Sequence, residues 1–406
     1  MKILLRILLI SDVYFPRVNG VSTSIRTFTE QLQLLGHSVH LITPDYGIKT
    51  KDETWITRVP ARNIYFDPED KLMKYGELLK LLPNLKSQHF DLIHIHTPFI
   101  AHYAGLKLGK LLQIPVVETY HTFFEDYLHH YLPWIPSFAA RGLARFISKK
   151  QCNQTDAIVA PSQPMLDVLR AYGINARAEV IATGLQKHSF SEANGDAFRQ
   201  QYGIALERPI LLYVGRVAFE KNIHFLLKVV KQLIKIMPEV LLVIAGEGPA
   251  EASLRAAVST LGIAQNVQFI GYLDREKQLN ACYKAADIFV FSSKSETQGL
   301  VLLEAMAQGT PVVAIAELGT ASILIEGEGA VIASEDELIF MQKVRSLLVN
   351  PVHRQHLGER GRTYAQGKWS ALRQAERMVT FYVDLINASA KAKQPTVKHQ
   401  AVLKEL

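Results

Sequence analysis

Glu296 and Glu304 stand eight positions apart in a stretch that runs from Ser295-Glu296-Thr297-Gln298-Gly299-Leu300 into an apolar segment ending at Gly309. The strand-like run Asp287–Phe291 precedes them. A strand, a loop containing Gly and a helix start form an anion site, because the first N–H groups of a helix have no intrahelical partner and its dipole adds to them. Eight helical residues rise roughly 12 Å, the scale of a sugar, a diphosphate and a ribose in a row. The spacing therefore suits a nucleotide-sugar laid along the start of this helix. The structural alternative is a capped helix with a buried, hydrogen-bonded Glu304.

Gly215-Arg216 and Glu220-Lys221-Asn222 follow the apolar run Leu211–Val214. Two cations just past a strand end could neutralise a diphosphate, Arg as a planar fork and Lys as a point charge. A charge pair 4 Å apart is worth about 4 kcal/mol at an effective dielectric near 20. An ordinary solvated loop with an Arg216–Glu220 pair is the alternative. Ala245-Gly246-Glu247-Gly248-Pro249 reads as a tight turn before a helix.

In the first half, Asp12, Asn19 and Gly20 fall in the first strand-to-helix loop. Gly20 either lets the backbone approach a donor phosphate or serves an Asn-Gly turn. The G-x-G-x-x-G fingerprint is absent there, which argues against a nicotinamide or flavin dinucleotide. Of His94 and His96, one is expected to face a cleft, with His96, before Thr97-Pro98, the better placed. His121 closes the strand-like Val116–Tyr120 and is suited to polar work there.

No Asp-x-Asp motif and no His/Cys/Asp cluster with metal-ligand spacing occurs. A departing diphosphate would then be stabilised by protein cations and a helix N-terminus, with no metal or other cofactor. The net charge of +7 calls for an anionic partner, and no nucleic-acid-binding module accompanies it. Two basic segments could instead meet an anionic membrane: Lys71–Lys86, and Phe138–Lys150 with Arg141, Arg145, Lys149 and Lys150 beside Phe138, Leu143, Phe146 and Ile147. The aromatic run His129–Trp134 adds to that reading, although most amphipathic helices pack their apolar face on the core.

These residues need a scaffold, and 406 residues imply two cores. Strands read at Ile3–Ile10, Val39–Thr43, Leu92–His96, Val116–Tyr120, Ala157–Ala160 and Glu179–Ile181, with a helix over Ser22–Leu35. A second series reads at Ile210–Val214, Val240–Ala245, Val267–Ile270, Ile288–Phe291 and Val312–Ala314. Apolar strands alternating with helices predict two α/β, doubly wound parallel sheets whose strand-end loops face one cleft. The expected domains are 1–190 and 205–366, with a last helix over 370–388 and a mobile polar tail over 389–406. The first apolar run fits a strand better than a signal peptide, and no run reaches membrane-spanning length. Cys152 and Cys282 match no metal spacing and suit a reducing cytoplasm.

Together these residues resemble glycosyltransferase family 4, the retaining GT-B enzymes that use nucleotide-diphosphate sugars. The resemblance rests on the Gly20 loop, the His121 segment, Gly215-Arg216 with Glu220-Lys221-Asn222, and Glu296-x7-Glu304 followed by Gly309-Thr310-Pro311-Val312-Val313. It implies a GT-B fold of two Rossmann-like domains, with the last helix crossing back to the first. Arg216 and Lys221 would bind the diphosphate with the Gly299 and Leu300 amides, and Glu304 would accept from the ribose. Glu296 would contact sugar hydroxyls, and His121 would hold the sugar near its 6-position. Attack would come from the front face, with the leaving phosphate helping to take the acceptor proton.

Tyr120-His121-Thr122 with Glu125-Asp126-Tyr127, and Thr297-Gln298-Gly299 in place of the family's common Phe-Gly pair, look like bacterial diacylglycerol glucosyltransferases. The resemblance thus implies a cytoplasmic enzyme, peripheral on the inner membrane face, moving a hexose from a UDP- or GDP-sugar to a lipid hydroxyl. The alternatives are a soluble transferase of lipopolysaccharide, exopolysaccharide or small-glycoside synthesis, a GT-B epimerase, or a non-catalytic nucleotide-sugar module.

Overall fold

Runs such as Ile7-Leu8-Leu9-Ile10 and Leu241-Leu242-Val243-Ile244 have no polar face, so only a sheet covered by helices on both sides can bury them. The computed structural model describes residues 3–47, 53–64, 67–121, 123, 137–274 and 278–393. Its first half contains β1 (Arg6–Ile10), β2 (Ser38–Pro44) and β3 (Ile56–Val59), the antiparallel pair β4 (Ala61–Ile64) and β5 (Asp67–Met73), then β6 (Leu92–Ile95), β7 (Val116–Thr119), β8 (Ala157–Ala160) and β9 (Arg177–Val180). Apart from the β4–β5 pair, these strands form one parallel sheet in the order β3-β2-β1-β6-β7-β8-β9.

The second half contains β10 (Ile210–Val214), β11 (Leu241–Ala245), β12 (Val267–Gly271), β13 (Ile288–Phe291), β14 (Val312–Ala314) and β15 (Ala330–Ile332), in the parallel order β12-β11-β10-β13-β14-β15. Strand order reverses between β1 and β6 and again between β10 and β13. Such reversals open a crevice at the carboxyl ends of the strands, where ligands of doubly wound sheets bind.

Two stretches of chain run between the sheets side by side. Leu185 N–H donates to the Trp369 carbonyl at 2.6 Å, and Ala371 N–H to the Leu185 carbonyl at 2.9 Å. A Cβ on Gly184 would lie 2.6 Å from the backbone of Ala371, so the approach needs glycine. The helix Ala371–Lys393 then packs Ala375, Met378, Phe381, Tyr382 and Leu385 into the first sheet's core beside Ile25, Phe28 and Leu32.

Several expectations change. The last helix continues past Ala388 to Lys393, the last described residue. Strands β3, β4, β5 and β15 went unread because they are short or charged. Lys71–Lys86 is not one amphipathic helix: it comprises the end of β5 and two short helices, Tyr75–Leu79 and Leu82–Ser87, the second with Pro in its first turn. Its Met73, Leu78 and Leu85 are buried in the core, and Leu79, Leu81 and Leu82 are partly buried against it. Thr122, Glu125–Tyr127, His129–Trp134 and 394–406 lie outside the described residues.

Candidate active site

At the end of β10 the chain turns through Gly215 to Arg216, whose carbonyl accepts from the buried Tyr213 hydroxyl at 3.0 Å. The loop after β11 lies against this turn. Gly215 N–H donates to the Ala245 carbonyl at 3.0 Å and Val217 N–H to that of Glu247 at 2.9 Å. A Cβ on Gly246 would sit 1.9 Å from the Gly215 carbonyl oxygen. The Gly246-Glu247-Gly248 turn, which the sequence explains as a simple turn, is therefore the floor on which half-buried Arg216 is set.

A short turn, Phe219–Lys221, leads to Asn222 in the left-handed conformation and on to the helix Ile223–Leu233. Ser292, just past β13, donates its hydroxyl to the Asn222 carbonyl at 2.9 Å and joins the two strand-end loops. There Lys221 Nζ lies 2.5 Å from Glu296 Oε1, with both side chains 19 % exposed. The resemblance gave these residues separate duties, on phosphate and on sugar; the fold makes them one ion pair at the mouth of the β10/β13 crevice.

Gly299, with φ +95°, caps the helix Leu300–Ala307. Glu296 to Glu304 is accordingly a loop plus little more than one helical turn, not a continuous helix, because the left-handed Gly299 sets the helix start. Glu304 is buried at 6 % exposure and accepts from the Tyr283 hydroxyl at 2.9 Å. Leu300 begins the helix and packs partly against the second core. The sequence offered no pointer to Tyr283, which sits 21 residues away on a neighbouring helix.

Across the crevice, Gly20 is the first residue of the helix Gly20–Leu34, capped by the Asn19 side chain accepting from Ser22 N–H at 2.9 Å. Gly20 does not take the left-handed conformation, and a Cβ there would meet nothing within 4 Å. The position is an open helix N-terminus, not a tight Asn-Gly turn.

His94, on β6, and His96, one residue past its end, lie on the same side, as a period of two requires, so the expectation that they alternate is corrected. Their rings stack 4.2 Å apart, and His96 stacks on His121 at 5.3 Å. His96 Nδ1 lies 3.0 Å from His121 Nε2, while His94 bridges Tyr382 of the last helix and Thr119. Burial lowers His121 to about 4 and, helped by His121, lowers His94 to about 3; burial also drives His96 well below its ordinary value. The stack is neutral at neutral pH, so His121 can act there as a hydrogen-bonding group and not as a cation.

Residues 194–364 match the family model for glycosyl transferases group 1, and residues 18–187 match that for Glycosyltransferase Family 4. An alpha-monoglucosyldiacylglycerol synthase from Streptococcus pneumoniae (strain ATCC BAA-255 / R6) is 34% identical over 316 residues, covering 76% of this chain and 71% of that relative. The chain belongs to glycosyltransferase family 4.

A second relative of this glycosyltransferase, the alpha-monoglucosyldiacylglycerol synthase of Acholeplasma laidlawii, is 28% identical over 324 residues, 76% of this chain and 80% of the relative. Among solved structures, sucrose-phosphate synthase from Thermosynechococcus elongatus superposes with a TM-score of 0.77 at 22% identity, covering 94% of this chain and all of the other. Anabaena HepE in complex with UDP-glucose gives 0.73 at 17% identity and the same 94% coverage of this chain. The fold of this glycosyltransferase is GT-B. Its crevice brings cations, two carboxylates, helix N-termini and a neutral histidine to the carboxyl ends of two sheets, a set able to hold an anion flanked by hydroxyl groups.

Proposed function

We propose that this glycosyltransferase moves a hexose from a nucleotide-diphosphate sugar, UDP-glucose first among the candidates, to a hydroxyl of a membrane lipid such as diacylglycerol, with retention. The observation that carries the reading is the 34% identity, over three quarters of the chain, to a relative named alpha-monoglucosyldiacylglycerol synthase. An alpha product from the α-linked sugar of UDP-glucose means retention.

In this reading Arg216, Lys221 and the amides of Gly299 and Leu300 hold the diphosphate, and Glu304 accepts from the ribose. Gly20 lets the first domain's helix N-terminus approach the donor. Glu296 orients the sugar, and neutral His121 hydrogen-bonds near its 6-position. The bond from the sugar C1 to phosphate oxygen breaks while the acceptor oxygen bonds C1 on the same face, and its proton passes to the departing phosphate. Fixed donors aimed at that phosphate are the usual main source of rate enhancement. The reading needs no metal, because the protein supplies the positive charge.

The helix Ser137–Cys152 supports a lipid acceptor. Small Ala140, Ala144 and Ser148 face the core, while Phe138 (78 % exposed), Leu143, Phe146 (64 %) and Ile147 point outward among Arg141, Arg145, Lys149 and Lys150. This inverts the usual arrangement, in which the large apolar residues pack inward. A cavity of about 450 Å³ beside it is lined by Phe123, Arg145, Phe146, Lys149 and Tyr172, and Phe123 is two residues past His121. Among the described residues no helix is long and apolar enough to cross a membrane, so the proposed attachment is peripheral, on the cytoplasmic face.

The test is mass-spectrometric identification of products from UDP-glucose, UDP-galactose and GDP-mannose offered with a membrane lipid extract. A hexosyl-diacylglycerol is the expected product. Transfer to water-soluble acceptors alone would overturn the lipid reading.

A further inference from the structure

Thr297 and Gln298 lie inside the interval between the two glutamates, yet neither is spent on the donor roles assigned above. The expectation tied this triplet to the lipid acceptor; the fold turns both side chains towards the first domain. Thr297 Oγ1 donates to the His121 carbonyl at 3.0 Å, and Ser162 Oγ donates to the Thr297 carbonyl at 2.8 Å. Gln298, itself buried, closes a two-bond ring with one residue at the start of the interdomain connection: its Nε2 donates to the Thr183 carbonyl at 2.7 Å, and Thr183 N–H donates to its Oε1 at 2.8 Å. The Thr183 hydroxyl continues to Ser24, on the helix that Gly20 opens, at 2.7 Å.

Behind the loop, Gly319 N–H donates to the Glu296 carbonyl at 2.8 Å, and a Cβ on Gly319 would lie 2.2 Å from the Thr297 carbonyl carbon. The loop is thus backed by its own domain on one side and bonded to the other domain on the opposite side.

We propose that Thr297 is a positioning residue for transfer, and that the Gln298–Thr183 ring is the latch that holds it. His121 is gripped twice: at its carbonyl by Thr297 of the second domain, and at its ring by His96 of its own. Glu296 precedes Thr297 directly, so one hydroxyl sets the separation of the two groups placed on either side of the sugar. The residue types matter: the Thr297 hydroxyl can donate to a carbonyl, and the Gln298 amide, directly before Gly299 where the resembling family commonly has phenylalanine, can both donate and accept as the ring requires. Small displacements of reacting groups are costly, up to about a hundredfold for 1 Å. The loss should therefore fall on the chemical step and not on donor affinity.

This inference rests on the reading of His121 and Glu296 as sugar-side groups. Its test uses the full chain and whichever donor of the panel above wild type turns over. Thr297→Val, which keeps the shape and removes the hydroxyl, should lower kcat about tenfold with the donor KM and Kd within about twofold. Thr297→Ser should restore most of the rate. Wild-type kcat in the Val variant, or no recovery in the Ser variant, would overturn the proposal. Should Thr297→Val fail to melt cooperatively, Gln298→Met decides instead. It should lower kcat with donor Kd unchanged, and an unchanged kcat there refutes the latch. His121→Ala separates the two levels: full activity in that variant refutes the underlying reading, whereas its inactivity beside a silent Thr297→Val refutes this inference alone.

Discussion

Lys221 Nζ and Glu296 Oε1 are 2.5 Å apart although 75 residues separate them, which joins the loop after β10 to the loop after β13 at the site of strand-order reversal. A cation in contact with a carboxylate can turn its remaining N–H groups to a phosphate while holding the carboxylate towards a sugar.

Breaking this pair from either side should have unequal effects. Lys221→Ala should weaken donor binding about tenfold or more, as for other charge-assisted hydrogen bonds, read by calorimetry with UDP. Glu296→Gln should lower kcat by about two orders of magnitude with a smaller change in donor Kd. The double variant should lose less than the product of the single losses, since the residues touch. Strict additivity would show that the contact has no functional coupling.

Tyr283→Phe removes the hydroxyl that donates to buried Glu304. The expected cost is about 1–2 kcal/mol in urea unfolding, with weaker binding of UDP because Glu304, the proposed ribose acceptor, loses this bond. Unchanged stability together with unchanged UDP affinity would count against this role.

Gly246→Ala places a methyl group 1.9 Å from the Gly215 carbonyl oxygen at a φ of +132°. It should destabilise by about 3 kcal/mol or more through combined clash and strain, and weaken donor binding by moving Arg216. Gly142→Ala is the contrast: it lies in a helix with nothing within 4 Å and should stabilise by about 0.5–1 kcal/mol. Melting curves of the two variants read both signs.

The histidine stack sets a direction for acid sensitivity. An unfolded histidine titrates near 6.5, whereas burial holds His121 near 4 and His94 near 3. Between those values and 6.5 the unfolded chain binds more protons, so stability is fully present above about pH 6.5 and is lost as pH falls towards 4. His102 runs the other way: burial pulls it down, but its hydrogen bond to Glu118 and that residue's charge raise it on balance. Its contribution is present below 6.5 and is lost as pH rises through the raised value. Melting temperature against pH should show an acid limb that flattens in His96→Gln, and an unaltered limb would refute the stack's part in it.

Membrane attachment should depend on the outward face of Ser137–Cys152. Phe146→Asp and the reversal of Arg145 and Lys149 to Glu should each reduce flotation with phosphatidylglycerol vesicles, the second more at low salt than at high salt. Equal flotation of all variants would place the contact elsewhere.

The sequence by itself determined the two parallel sheets, because runs such as Leu241–Ala245 are apolar on both faces, and their alternation with helices leaves few other topologies. It also put Gly215-Arg216, His121 and the stretch from Glu296 to Glu304 after the carboxyl ends of strands, where doubly wound sheets bind ligands. Contacts between residues far apart in the chain were decided only by the tertiary structure. Gln298 meets Thr183 across 115 residues, Thr297 meets His121 across 176, and His94 meets Tyr382 across 288. No local periodicity encodes such pairings. The outward face of Ser137–Cys152 was likewise undecided, because a pattern of Ala, Phe and Arg marks two faces without saying which one the core takes. Packing settled it: the smaller Ala140, Ala144 and Ser148 allow close approach to the sheet, so Phe138 and Phe146 were left outside.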